Sequence, residues 1–171
     1  KPSTELLEQA KVDLAYTGSM VGLFTRGAPV RTLADLRRLR LRVLSAADFS
    51  LLNAWDVRGV QVAWEEVSQA LQSGMVDAYL NPPNIAPMFG HGTVLDYFTD
   101  LRLGPASRLI VLSTRWYDKL TSTQRDALEG AFAAGRAANR AWVRETLARD
   151  RARLDQVGIE WIELDEAQRQ E

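Results

Sequence analysis

The residues best equipped for chemistry in this chain are arginines and a few carboxylates. Arg38, Arg40 and Arg42 alternate with Leu39, Leu41 and Val43, the period-two pattern of a strand with one basic face. A guanidinium on such a face is a planar fork that meets a carboxylate at two points and stays charged at any physiological pH. The same residues also suit the wetted face of an edge strand, and composition alone favours that second reading. The chain has no cysteine, which excludes disulfides, thiolate metal sites and thiol nucleophiles. A single histidine, His91, argues against a histidine-built zinc site or a catalytic triad. It stands between Gly90 and Gly92 in a loop, where a solvated histidine, or one that supports other side chains, is expected rather than a ligating one. G-x-S-x-G, G-x-x-x-x-G-K and H-E-x-x-H are missing, and Gly18 to Gly22 lacks the third glycine and strand-to-helix setting of a dinucleotide loop. Glu65/Glu66 and Asp165/Glu166 stand where helices should begin, so they read as dipole complements or caps rather than acid/base pairs. No enzyme activity, cofactor or metal is expected.

These residues need elements to position them. At 171 residues, 46% hydrophobic and 25% charged, the chain has the material for an ordinary globular core. A net charge of −1 leaves no global basic field for nucleic acid or an anionic membrane, so any anion must be met by local charges. No run approaches the roughly 20 apolar residues needed to cross a bilayer, and direct membrane insertion is not expected. The chain opens without a start methionine and reads as a mature or truncated segment, with a short helix expected over Lys1 to Leu7, capped by Ser3 or Thr4.

Further along, Val12 to Tyr16 predicts a buried strand that turns at Thr17 to Ser19, followed by loop over 18–31. Thr32 and Asp35 have the spacing of a capping box. Residues 39–43 predict a strand, 46–55 a helix, and Gly59 to Trp64 another strand. Glu65 to Ser73 predicts a helix ending at a left-handed Gly74. Met75 to Leu80 predicts a strand, after which Pro82, Pro83 and Pro87 force an irregular or helix-initiating segment. Leu109 to Ser113 predicts a buried strand, and Thr121 to Gln156 one helix of about 50 Å, with Gly158 past its end. Ile159 to Leu164 closes with a strand. Strand and helix in this alternation predict an α/β fold with parallel pairs.

Three stretches carry a resemblance: DLRRLRLRV at 35–43, AWEEVSQALQSGMVDAYLNPPN at 63–84 and STRWYDKLTSTQRDAL at 113–128. They resemble the solute-binding proteins of tripartite ATP-independent periplasmic (TRAP) transporters, in which D-L-x-G-x-K-x-R-V-P is followed by aromatic-x-E-V-x-x-A-L-Q-x-G-x-V-D-G-x-E-N-P. The resemblance implies a periplasmic-binding-protein-like α/β lobe, its mixed and mainly parallel sheet flanked by helices, with one long helix spanning lobes. It implies that Arg42 takes a substrate carboxylate, that Trp64 flanks the ligand and that Asn81 donates to it, with Ser45 and Tyr16 near it. From the residues alone, Trp64 also suits a core position and Asn81 also suits an N-cap before Pro82. Glu66, Gln72 and Asp77 match the motif as helix and packing positions.

The resemblance further implies a remnant of a first lobe over 1–15, a carboxylate-binding lobe over 16–104 and shared elements over 105–171, with the rest of the first lobe lacking. The implied function is periplasmic capture of a small organic acid for delivery to TRAP membrane subunits. The sequence departs from the pattern at Arg38, Leu44, Ala78, Leu80 and Thr121. Of these, Leu44, Ala78 and Leu80 support an alternative, a degenerate or repurposed lobe acting in sensing or assembly without transport.

Overall fold

The structure, a computed structural model, describes residues 10–46 and 48–170, with the side chains of 11–17 outside that description. The expected helix over Lys1 to Leu7 lies outside the described residues. The chain divides into two compact units, one of residues 1–18 and 106–146 and one of 19–105 and 147–171.

The second unit is built on a six-stranded sheet. Its strands are β2 (Gly22–Thr25), β3 (Arg40–Val43), β4 (Arg58–Gln61), β5 (Ala78–Asn81), β6 (Tyr97–Thr99) and β8 (Glu160–Ile162), in the order β4-β3-β5-β2-β6-β8. The β3–β4, β3–β5 and β6–β8 pairs are parallel, and β2 runs antiparallel to both its neighbours. Five strands therefore point one way and β2 alone the other, which is the mixed, mainly parallel sheet that the resemblance implies.

Both faces of the sheet are covered. One face carries Phe24, Tyr79, Phe98, Val67, Leu71 and Leu154, the other Leu23, Leu41, Val43, Leu52 and Ala78. Alternation along each strand sends neighbours to opposite faces, as Leu23 and Phe24 show. Covering helices are α1 (Leu33–Leu36), α2 (Asp48–Trp55), α3 (Val67–Gln72) and α4 (Ile85–Met88), and the short α7 (Glu166–Gln170), which buries no residue, follows β8. The Thr32–Asp35 capping box is present in full: the Thr32 hydroxyl accepts from the Asp35 amide while the Asp35 carboxylate accepts from the Thr32 amide. Gly74 adopts φ +69° after α3, as its position past the helix end requires.

Several boundaries differ from the sequence reading. β1 (Ala10–Met20) contains Val12 to Tyr16 and runs straight through Thr17 to Ser19, where a turn is predicted. β2 occupies part of the predicted loop; its four residues are all buried, so no polar alternation marks it. β4 ends at Gln61, and Trp64 instead opens a 3₁₀ turn (Trp64–Glu66) ahead of α3. β5 starts at Ala78 because Met75 and Val76 bond back to the Ala70 carbonyl in the turn closing α3. β8 is confined to three residues of the predicted six.

In the first unit β1 pairs with β7 (Pro105–Ser113) as a two-stranded sheet. Leu109 and Val111 are 59% and 58% exposed, which corrects the expectation of a buried strand: the described residues give this face of the ribbon no cover. After α5 (Thr114–Tyr117), Thr121 caps α6 (Ser122–Gln156) reciprocally with Gln124. Tyr117 donates to Glu129, and Arg125 lies over the Tyr117 ring while donating to the Asp118 carbonyl. Gly158 ends the helix at φ +81°.

Candidate functional site

One residue from each strand of the large sheet falls in a single cross-strand row: Val60, Arg42, Tyr79, Phe24, Phe98 and Trp161. The rings touch in sequence, with centroids 5.1 Å apart for Tyr79–Phe24, 4.8 Å for Phe24–Phe98 and 4.7 Å for Phe98–Trp161. This row belongs to the Phe24/Tyr79 face, and Arg42 is its one charged member. A cation set between Val60 and Tyr79 is costly without partners, because burial disfavours the charged form.

The partners are few. Arg42 Nε donates to the Val62 carbonyl at 2.9 Å, and the guanidinium lies over the Trp64 ring at 5.4 Å. Nη2 is buried with no hydrogen-bond partner, and no carboxylate forms an ion pair with Arg42 among the described residues. Burial accordingly draws its pKa below the usual arginine value, while Asp48 and Glu65 act at longer range in the opposite sense. Arg40, two strand positions away on the same side of the pleat, has what Arg42 lacks. Its Nε and Nη2 meet the two oxygens of Asp77 at 2.8 and 2.7 Å, and its amide also donates to Asp77. Asp77 thus ties β3 to the start of β5, the packing role read for it from sequence.

Trp64 is held by rings on several sides. Tyr79 and Phe89 meet it edge-on at 5.7 and 5.0 Å, and His91 lies 5.5 Å away. The ring packs against the core cluster while its face meets Arg42. Of the two alternatives for His91 the solvated one is corrected: the residue is 5% exposed, and its Nδ1 lies 3.0 Å from the Tyr79 hydroxyl. Burial lowers the imidazole pKa and pushes the Tyr79 phenol far up.

Asn81 ends β5 two residues after Tyr79, on the same side of the strand, and its side-chain amide has no hydrogen-bond partner among the described residues. It is not a helix cap; Asn84 holds that position for α4. Ser45 follows β3 and is exposed, its amide and that of Leu44 both donating to Asp48 at 2.9 Å. Arg42, Trp64, Ser45 and Asn81 all lie at the carboxyl ends of parallel strands or just beyond, where open α/β sheets receive ligands. Tyr16 belongs to β1, and its side chain is outside the described residues. Tyr79, Phe89 and Asp48 lie in this cluster and were not singled out by the sequence reading; the Tyr79–Asn81 spacing of two was the available signal for the first.

A separate cavity of about 180 Å³ opens on the opposite face, lined by Leu33, Leu36, Trp55, Leu101, Leu103 and Leu164 among others. None of the sequence-predicted site residues lines it. Among the described residues no cluster could hold a metal ion, and no helix is long and apolar enough to cross a membrane.

The family model of the bacterial extracellular solute-binding protein, family 7 (DctP), matches residues 4–171. A solute-binding protein of Roseobacter denitrificans is 25% identical over 167 residues, covering 95% of this chain and 51% of its own length. The chain superposes on the TRAP periplasmic solute-binding protein of Ochrobactrum anthropi with TM-score 0.83 at 22% identity, over 98% of this chain and 54% of that one. For a Sulfitobacter TRAP protein with bound β-D-galacturonate the values are 0.85 and 20%, over 96% and 55%. For a Fusobacterium TRAP protein with bound sn-glycerol 3-phosphate they are 0.85 and 20%, over 96% and 54%. The chain spans about half the length of the relatives it matches. From the match of nearly its whole length to that model, borne on the α/β sheet described above, the chain belongs to the bacterial extracellular solute-binding proteins, family 7.

Proposed function

We propose that Arg42 receives the anionic group of a small organic acid, and that the protein carries this acid in the periplasm to the membrane subunits of a TRAP transporter. The observation that carries the reading is the guanidinium itself: set in an apolar row, fixed through Nε and the Trp64 face, with a buried Nη2 left unpartnered. A carboxylate would complete that donor set and repair the desolvation of the charge, and a two-point contact would orient the ligand. Trp64 would flank the bound molecule, Asn81 would offer its free amide from the same strand edge, and Ser45 and Tyr16 would approach from beyond it. Residues 16–104 would then be the carboxylate-binding lobe, 1–15 a remnant of another, and 105–171 the elements the two share.

Relatives with bound galacturonate, L-galactonate and glycerol 3-phosphate support a ligand that joins one anionic group to a hydroxylated body. The departures offered for a repurposed lobe lose two of their grounds, because Ala78 and Leu80 pack on the face of β5 opposite Arg42 and Tyr79. Calorimetric titration of the full-length protein with uronates and aldonates tests the reading. Arg42→Ala should weaken binding by about 100-fold or more, and Arg42→Lys should not restore it, since an ammonium cannot make the planar two-point contact. Unchanged affinity in Arg42→Ala would remove the role.

A further inference from the structure

We propose that His91 is a positioning residue for the ligand wall: by accepting a hydrogen bond from the Tyr79 hydroxyl at Nδ1 it fixes Tyr79 and Trp64, and through them the orientation of the Arg42 guanidinium. The proposal rests on the carboxylate-site reading and adds to it a residue that need not touch ligand.

The backbone places His91 by design of its neighbours. Gly90 takes φ +70°, a conformation that side chains rarely adopt, and this turns the chain inward at the end of α4. Gly92 lies so close to Val157 that an added Cβ would stand 2.7 Å from its Cβ and 2.8 Å from its carbonyl oxygen. The two glycines thus press the intervening imidazole into the core. There it is fastened on both sides, its carbonyl accepting from the Val94 and Leu95 amides and its ring reaching the Tyr79 hydroxyl.

Tyr79 is fully buried and needs a partner for its hydroxyl; among the described residues His91 Nδ1 supplies it. Both groups are neutral in this setting, since burial disfavours the imidazolium and the phenolate alike. With Nδ1 accepting, the imidazole proton resides on Nε2. Tyr79 is the cross-strand neighbour of Arg42, and Tyr79 and His91 both pack against the indole over which the guanidinium lies. Removing the acceptor would leave a buried hydroxyl unpaired and free the phenol to seek water past Trp64.

The test uses the full-length protein with D-galacturonate and D-glucuronate as probes, and three variants. His91→Leu, which fills the space without an acceptor, should weaken uronate binding about tenfold. His91→Asn, whose amide oxygen stands where Nδ1 stood, should bind within about twofold of the parent even though it packs less well. Arg42→Ala is the control for the underlying reading. A ligand-free measurement runs alongside: exchange of the Arg42 Nε–H with solvent, followed by NMR, should be faster in His91→Leu and restored in His91→Asn. Uronates that fail to bind, or an Arg42→Ala variant that binds unchanged, count against the carboxylate reading alone, and the exchange measurement still decides the role of His91. Unaltered exchange in His91→Leu, or equal losses in the leucine and asparagine variants, would overturn the proposal.

Discussion

Arg42 and Asp150 are the two charged side chains that the sheet-bearing unit buries with a polar atom left unpaired among its described residues. They differ in what would relieve them. Arg42 lies at the strand ends, while Asp150 is enclosed, 1% exposed, with Ser19 donating to Oδ2 at 2.6 Å and Oδ1 orphaned. Burial raises the Asp150 pKa above the ordinary carboxylate value, outweighing the Ser19 hydrogen bond and the nearby Arg153. A raised folded-state pKa means that ionisation at neutral pH costs stability. Asp150→Asn keeps an acceptor for Ser19 and sheds the charge, so it should stabilise the protein by about 1 kcal/mol at pH 7. The gain should shrink as the pH falls toward the range where the carboxyl is protonated in both states; denaturant melts at pH 7 and pH 4 measure both. Arg42 was legible in the sequence because a motif surrounded it. His91 was not, because its burial depends on the approach of Gly92 to Val157, a contact that no local pattern announces.

Elements whose signals are local were read well. The Thr32–Asp35 and Thr121–Gln124 caps, Gly74 and Gly158 at helix ends, and the 35-residue α6 all follow from short-range chemistry. β2 escaped because it is four residues long and covered on both faces, so neither length nor alternation distinguishes it from apolar loop. Yet β2 is the antiparallel strand that joins β5 to β6, and its first residue explains why glycine precedes Leu23. A Cβ at Gly22 would stand 2.6 Å from the Thr99 carbonyl oxygen and run into the Phe98 ring. Gly22→Ala should therefore cost about 1–3 kcal/mol by urea unfolding, through displacement of β6 rather than loss of any side chain. The exposed Leu109 and Val111 show the reverse error: an apolar run specifies a strand but not what covers it.

The pH response of the whole molecule sums several such groups. His91 titrates below its ordinary value of 6.5 when folded, so the folded state binds fewer protons there, and stability should begin to fall as the pH drops below about 6.5. Asp77 and Asp35, held low chiefly by Arg40 and Thr32 respectively, contribute stability above about pH 4 that is lost as the pH falls through their depressed values. Asp150 works in the opposite sense. Thermal melts from pH 7 to pH 3 should thus show two descending limbs, and His91→Asn should flatten the upper one while leaving the lower in place. Architecture of this kind was legible from strand–helix alternation, whereas the assembly of six strands into one ring-lined row was not, since register is set by pairing between distant segments. On the proposed reading, the unpaired Nη2 of Arg42 would make that row selective by refusal as much as by attraction. A molecule that covered it without presenting an acceptor would seal a dry donor with nothing to bond, so analogues lacking an acceptor at that point would be turned away by a penalty that contacts elsewhere do not remove.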